Sequence, residues 1–174
     1  MKKKLVLFVM VALTINISAQ KIANGKIEMT FDGKKISAET ETVKLQKGDD
    51  VQIFVEAKDA DKKGGANVTL RFALDGLRPQ TIDPDEVALN VAYRNGGARR
   101  TYFSLLGNYA SYSDSQNRLE YHGAQTDFKI TDVEYKDGEI KIAGTFECSA
   151  PLKKDAVNAS DKIEIKKGRF EIVF

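Results

Sequence analysis

The chain has 174 residues, with 27 Lys+Arg against 25 Asp+Glu, one His, one Cys and no Trp. That length predicts one domain, and so even a charge balance argues against a nucleic-acid binder, which needs a basic surplus. A single Cys excludes a disulfide framework or a Cys-rich metal site, and a single His removes most His-based metal and triad arrangements.

Residues 1–19 read MKKKLVLFVMVALTINISA. Three lysines precede an apolar run, and Ser18 and Ala19 supply the small residues that signal peptidase needs, so the segment has the pattern of a secretory signal peptide. The run from Leu5 to Leu13 is nine residues, short of the ~20 that span a bilayer. The expectation is a single exported β domain over residues 20–174, periplasmic or extracellular, without a membrane span. The only Cys is Cys148, remote from the cleavage point, so no lipid anchor is expected. Removing residues 1–19 takes away three Lys, leaving 24 Lys+Arg against 25 acids in 155 residues, a net charge of −1. So weak a charge predicts no strong partner by bulk electrostatics.

From there the chain reads as strands joined by turns. Ile27, Met29 and Phe31 alternate with polar residues, the period of a half-buried strand, and Asp32-Gly33 is a two-residue hairpin signal. A second strand runs from about Lys35 to Leu45, with a turn at Gln46 to Asp49. Val51, Ile53 and Val55 mark a third, and Val68, Leu70, Phe72 and Leu74 a fourth that ends at Asp75-Gly76. A polar loop, Lys58 to Gly65, lies between these two. Residues 83–96 carry two signals. Asp83-Pro84-Asp85-Glu86 is a good helix start, yet Val87, Leu89, Val91 and Tyr93 alternate, and Asn95-Gly96 is a hairpin turn to a run from Ala98 to Leu106. The strand is the preferred reading. Gly107 to Asn117 is polar and rich in Tyr and Ser, which predicts a long loop.

Three strong elements close the chain. Phe128, Ile130, Val133 and Tyr135 alternate with a slip at Thr131-Asp132, which predicts a β-bulge. After a turn at Lys136 to Gly138, Ile140, Ile142, Gly144, Phe146 and Cys148 share one face. Ile163 and Ile165 are separated from Phe170 and Ile172 by a turn or bulge at Lys167-Gly168. Little helix and about 9–10 strands imply an antiparallel β-sandwich or a flattened lipocalin-like barrel.

The stretches FKITDVEYKDGEIKIAGTFEC (128–148) and IEIKKGRFEIVF (163–174) resemble a family of small exported or lipid-anchored all-β proteins of Gram-negative bacteria, of unknown function. The resemblance rests on Val133-Glu134-Tyr135, Gly144-Thr145-Phe146 and Gly168-Arg169-Phe170, with the Phe31-to-Lys35 hairpin as the opening. It covers about half the exported chain and implies no catalytic residue. Many members carry a lipid-attachment Cys after the signal peptide, which this chain lacks.

The chemistry-bearing patterns are few. No G-x-S-x-G elbow or phosphate-cradling glycine loop is present. Cys148 shares its strand face with Phe146 and Ile142, which predicts a buried, inert thiol rather than a partner for His122. Asp59, Asp61 and Asn67, and separately Asp83, Asp85 and Glu86, offer oxygens of the kind Ca²⁺ takes, but neither group has EF-hand spacing, and solvated loops are normally acidic. Asn67-Val68-Thr69 and Asn158-Ala159-Ser160 match the glycosylation pattern. No enzyme, cofactor or metal is expected.

The most suggestive stretch is polar and aromatic. Tyr109, Tyr112, Tyr121 and His122 sit in or beside the proposed loop, near Arg94, Arg99 and Arg100 of the proposed hairpin, and Tyr with Arg is frequent in recognition surfaces. The expected function is therefore non-catalytic binding of a small ligand, or of an extracytoplasmic protein or glycan, through loop surfaces. The alternative is a small hydrophobic molecule carried in the β interior. The missing Trp counts against sugar, because Trp is the largest stacking surface.

Overall fold

The computed structural model describes residues 19–22, 24–47, 51–58, 65–94, 100–113, 118–151 and 162–174. These residues form thirteen strands: β1 (Ala19–Ile22), β2 (Asn24–Phe31), β3 (Lys34–Lys47), β4 (Val51–Lys58), β5 (Asn67–Leu74), β6 (Gln80–Thr81), β7 (Ala88–Arg94), β8 (Arg100–Leu106), β9 (Tyr109–Ser113), β10 (Arg118–His122), β11 (Gln125–Lys136), β12 (Glu139–Pro151) and β13 (Lys162–Val173). All pair in one sheet of order β10-β9-β8-β7-β5-β4-β3-β2-β13-β12-β11-β6, with β1 added alongside β3. The sheet is antiparallel and curls into a half-barrel. The fold is all-β, as the alternation predicts.

The order consists of two antiparallel runs, β2 to β10 and β11 to β13, joined where the C-terminal strand pairs with β2. Two connections pull the runs together. Gly123-Ala124 alone carries the chain from β10, at one end of the order, to β11, near the other. The segment after β5 leaves its own run, pairs with β11 as β6, and returns to become β7 beside β5. This strap is anchored by buried Ile82, whose N–H donates to the Phe128 carbonyl at 2.9 Å. Its entry turn is held by Gln80, which accepts from the Asp75 N–H and donates to the Gly76 carbonyl.

Rings from both runs fill the described interior. Phe72 of β5 meets Phe128 of β11 at 5.1 Å and Phe170 of β13 at 5.4 Å between centroids. Phe31 of β2 meets Tyr93 of β7 at 5.8 Å and Phe103 of β8 at 5.0 Å. Tilted and edge-on packing at these separations is the preferred aromatic geometry.

The dual signal at 83–96 resolves into both of its parts. Asp83 caps a single 3-10 turn at Pro84–Glu86, its carboxylate accepting from the Asp85 N–H at 3.0 Å, and the strand begins at Ala88. The predicted bulge at Thr131 is present: pairing slips between Ile130 and Asp132. At Lys167-Gly168 the β13 register slips against both neighbours, with Lys167 in the left-handed region at φ 54°.

Two expectations are corrected. Within the long loop proposed for 107–117, Tyr109–Ser113 is strand, because Gly107 (φ 58°) turns the chain straight back into β9; residues 114–117 lie outside the described ones, and β10 continues the sheet after them. The strand count exceeds nine or ten because β1, β6, β9 and β10 are added. The turn at 48–49, most of the 58–65 loop with its Asp59 and Asp61, and Asn158-Ala159-Ser160 lie outside the described residues.

Candidate functional site

The described residues singled out from the sequence fall into two groups at opposite ends of the strands. Arg94 and Arg100 stand opposite one another where β7 and β8 approach their connection, and Arg99 lies outside the described residues. Tyr109 is at the other end of the sheet, between Leu106 and His122 in register. The six-residue step from Arg100 to Leu106 puts roughly 20 Å between the two groups at strand rise. Tyr109 and Tyr112 are three apart on one strand, so they take opposite faces. Tyr112 packs against the core, whereas Tyr109 faces outward, opposite exposed Leu106. Tyr121 is placed by register opposite Ala110.

What the pairing does assemble is a face. Reading across the strands, Glu56, Thr69, Asn90, Ser104, Ser111 and Glu120 stand opposite one another in succession over β4, β5, β7, β8, β9 and β10. The Asn90 amide donates to the Thr69 hydroxyl at 3.0 Å within this polar ladder. On one side runs the row Phe54, Arg71, Ala88, Leu106 and Tyr109, with the Arg71 guanidinium 6.0 Å from the Phe54 ring centre. On the other side run Asn67, Ala92, Tyr102 and Ser113.

Two depressions, of about 360 and 290 Å³, lie over the ladder and share Thr69, Asn90 and Ser104 in their lining. Tyr102 and Leu106 stand 47% and 53% exposed beside them. None of the outward residues of β7, β8 and β9 whose side chains are described is charged: they are Ala88, Asn90, Ala92, Tyr102, Ser104, Leu106, Tyr109, Ser111 and Ser113. In a chain that is 30% charged, nine described outward positions in a row without a charge are unusual, since solvent-facing strand positions ordinarily take Lys and Glu; Arg94 and Arg100 stand at one end of these strands and Arg71 beside them on β5.

The opposite arm shows the ordinary pattern. Glu28 accepts from Lys26 and Arg169, which together hold its carboxyl below the usual range. Lys162 and Lys166 both pair with Glu164, and Lys141 pairs with Glu171 at 3.1 Å. Depressions of about 400 and 410 Å³ lie there too, and their walls carry the Lys26–Glu28–Arg169 ion pairs together with Lys35, Lys167 and Glu171; exposed pairs of this kind contribute little.

The remaining candidates are structural. Among the described residues no group of three or more His, Cys, Asp or Glu is placed to hold a metal. Asp83 is occupied as a cap. Asn67 begins β5, exposed at the edge of the candidate face. Cys148 is 4% exposed, and burial pushes its thiol up to about 11, with the Thr126 hydroxyl opposing slightly. A thiol that is protonated at neutral pH is a poor nucleophile. Native protein should therefore resist an aromatic disulfide reagent at pH 8 while urea-unfolded protein reacts at once; rapid native labelling would contradict the burial. The same shift works against the fold in alkali. Between pH 9 and 11 the unfolded thiol releases its proton and the folded one retains it, so stability falls as pH rises, by up to about 2 kcal/mol. Cys148→Ala should flatten that part of the pH profile.

Sequence reasoning passed over Thr69, Asn90, Tyr102, Ser104 and Leu106. The signal was available within single strands. Between the apolar positions of β7 and β8 stand Ala, Asn, Ala and Tyr, Ser, Leu, where β2 and β13 carry mostly Lys, Glu and Arg.

Comparison of the chain with family models, with curated proteins and with solved structures finds no match.

Proposed function

We propose that this is an exported, non-catalytic β domain that binds a ligand or partner through the charge-poor outer face of β5, β7, β8 and β9, on which Arg71 is the one charged side chain among those described. Export rests on the signal-peptide pattern of residues 1–19. The single observation that carries the binding surface is the run of nine uncharged outward side chains among those described on β7 to β9, set beside an arm of the same sheet laced with ion pairs. Surfaces poor in charge, with a Tyr and a Leu exposed over short polar side chains, suit desolvation on contact. The face takes the place of the loop cluster of Tyr and Arg as the contact region; of that cluster it keeps Tyr109, with His122, Arg94 and Arg100 at its margins in register.

The test is a charged, bulky side chain where the two depressions join. Ser104→Arg should keep the circular dichroism spectrum and melting temperature close to wild type. It should weaken any binding detected in amide-shift titrations of labelled protein by at least about tenfold, the effect of ~1.4 kcal/mol. Thr145→Arg, on the ion-paired arm, should bind as wild type does. Binding that survives Ser104→Arg and is lost in Thr145→Arg would move the contact to the other arm.

A further inference from the structure

We infer that the occupant of this face is a neutral, linear glycan lying across the strands. The inference rests on the reading of the face as a binding surface and adds the chemical class of the ligand.

Charge is the first discriminator. The ladder Thr69, Asn90, Ser104, Ser111 is uncharged and is bounded at its two ends by Glu56 and Glu120. Carboxylates at both ends, against the single described cation of the flanking rows, Arg71 over the Phe54 ring, disfavour a polyanion, whether nucleic acid or acidic polysaccharide. A lipid surface would want continuous apolar area, and here the central row is polar along its whole length. A second protein strand would seek an open sheet edge with free backbone groups, whereas β5, β7, β8 and β9 are each hydrogen-bonded on both sides.

The hydrogen-bonding inventory is the second. Ser and Thr hydroxyls both donate and accept, and an Asn amide presents one of each. A row of such groups matches a polyol, in which every hydroxyl needs both. Adjacent rungs lie about 4.8 Å apart across a sheet, so four of them extend over about 15 Å, the length of a few sugar rings. The pyranose ring also has apolar C–H faces that stack on aromatic carbon, and the flanking rows, ~7 Å to either side of the ladder along the strands, offer the Tyr102 and Phe54 rings, with aliphatic Leu106 as further apolar area. The chain has no Trp, so stacking falls to the smaller Tyr and Phe rings. The expected affinity is correspondingly modest, with a Kd of about 0.1–1 mM per binding segment.

The experiment is native affinity electrophoresis of the signal-free protein in gels containing one of four neutral polymers (hydroxyethyl cellulose, xylan, laminarin or amylose). Alginate and polygalacturonate serve as anionic controls. Retardation by at least one neutral polymer and by neither anionic one is expected. Tyr102→Ala and Asn90→Ala should each weaken it about three- to tenfold, and Ser104→Arg should abolish it. Tyr102 is half exposed, so its variant keeps the test valid if another variant does not fold. Retardation that is unchanged in all three variants would place the glycan elsewhere and overturn the inference. So would retardation by the anionic polymers, or by none of the six. If no polymer retards the protein but Ser104→Arg converts a concentration-dependent dimer to monomer in sedimentation, the face is a self-association surface. The glycan assignment then falls while the reading of the face as a binding surface stands.

Discussion

Gly144→Val should destabilise the protein by about 3 kcal/mol, lowering the melting temperature by roughly 6–12 °C in a domain of this size. Gly144 of β12 lies opposite Phe170 of β13, and Phe146 lies opposite Gly168, two rungs along the same pair. A Cβ on Gly144 would sit 2.5 Å from the Phe170 ring and press on the Lys129 carbonyl; a Cβ on Gly168 would sit 2.6 Å from the Phe146 ring. Each glycine is thus the space into which the partner strand's ring lies, the cross-strand device by which an aromatic covers a glycine. The displaced ring has nowhere to go. Phe170 already touches Phe72 at 5.4 Å, Phe128 at 5.3 Å and Phe146 at 6.4 Å, and interiors at this density do not absorb added methyls. Urea denaturation should show a lowered midpoint with unchanged slope. Shrinking the ring is the control: Gly144→Ala combined with Phe170→Leu should cost clearly less than the sum of the two single changes, because the added carbon and the lost ring occupy one space. Strict additivity would mean that the glycine and the ring do not share it.

That pairing also explains why the motifs Gly144-Thr145-Phe146 and Gly168-Arg169-Phe170 were legible as a pattern before their reason was. One strand shows only that a Gly and a Phe stand two apart; antiparallel register converts two such triplets into a reciprocal lock. The same holds across the fold. Alternation located most strands, the Thr131 bulge showed as a slip of period, and Asp32-Gly33 and Asp137-Gly138 announced turns that now carry positive φ at all four residues. The β9 strand, Tyr109 to Ser113, was missed because only Ala110 among its residues is fully buried, so no apolar period exists for an eye to find. The two-residue β6 depends on a partner, β11, that lies far along the chain. The candidate face was harder still. Its members come from separate strands, and what unites them is the absence of charge at matching registers, which no single window of sequence displays. The Tyr and Arg cluster shows the converse effect. Nearness along the chain suggested nearness in space, but β8 carries Arg100 and Leu106 to opposite ends.

Phe31→Ala is expected to cost about 3–5 kcal/mol, and it also bears on whether the interior carries cargo. Phe31 has no exposed surface and joins the two arms of the sheet through Tyr93 and Phe103. Its removal leaves an apolar void where the curl is held. Such voids stay dry and accept small apolar molecules, so benzene or a similar probe should raise the stability of Phe31→Ala in proportion to RT ln(1 + [L]/Kd) while leaving wild type unaffected. A lipocalin-like carrier predicts the opposite order. Wild type would already take up a fluorescent fatty acid, solvent extraction of the purified protein would release a hydrophobic compound, and truncating Phe31 would add little capacity. Phe128 and Phe170 each touch Phe72 and Phe146 at one part of the core, and Phe31 lies against Tyr93 and Phe103 at another, so the protein's own rings occupy these parts of the interior. Uptake should therefore appear only once one of them has been cut away.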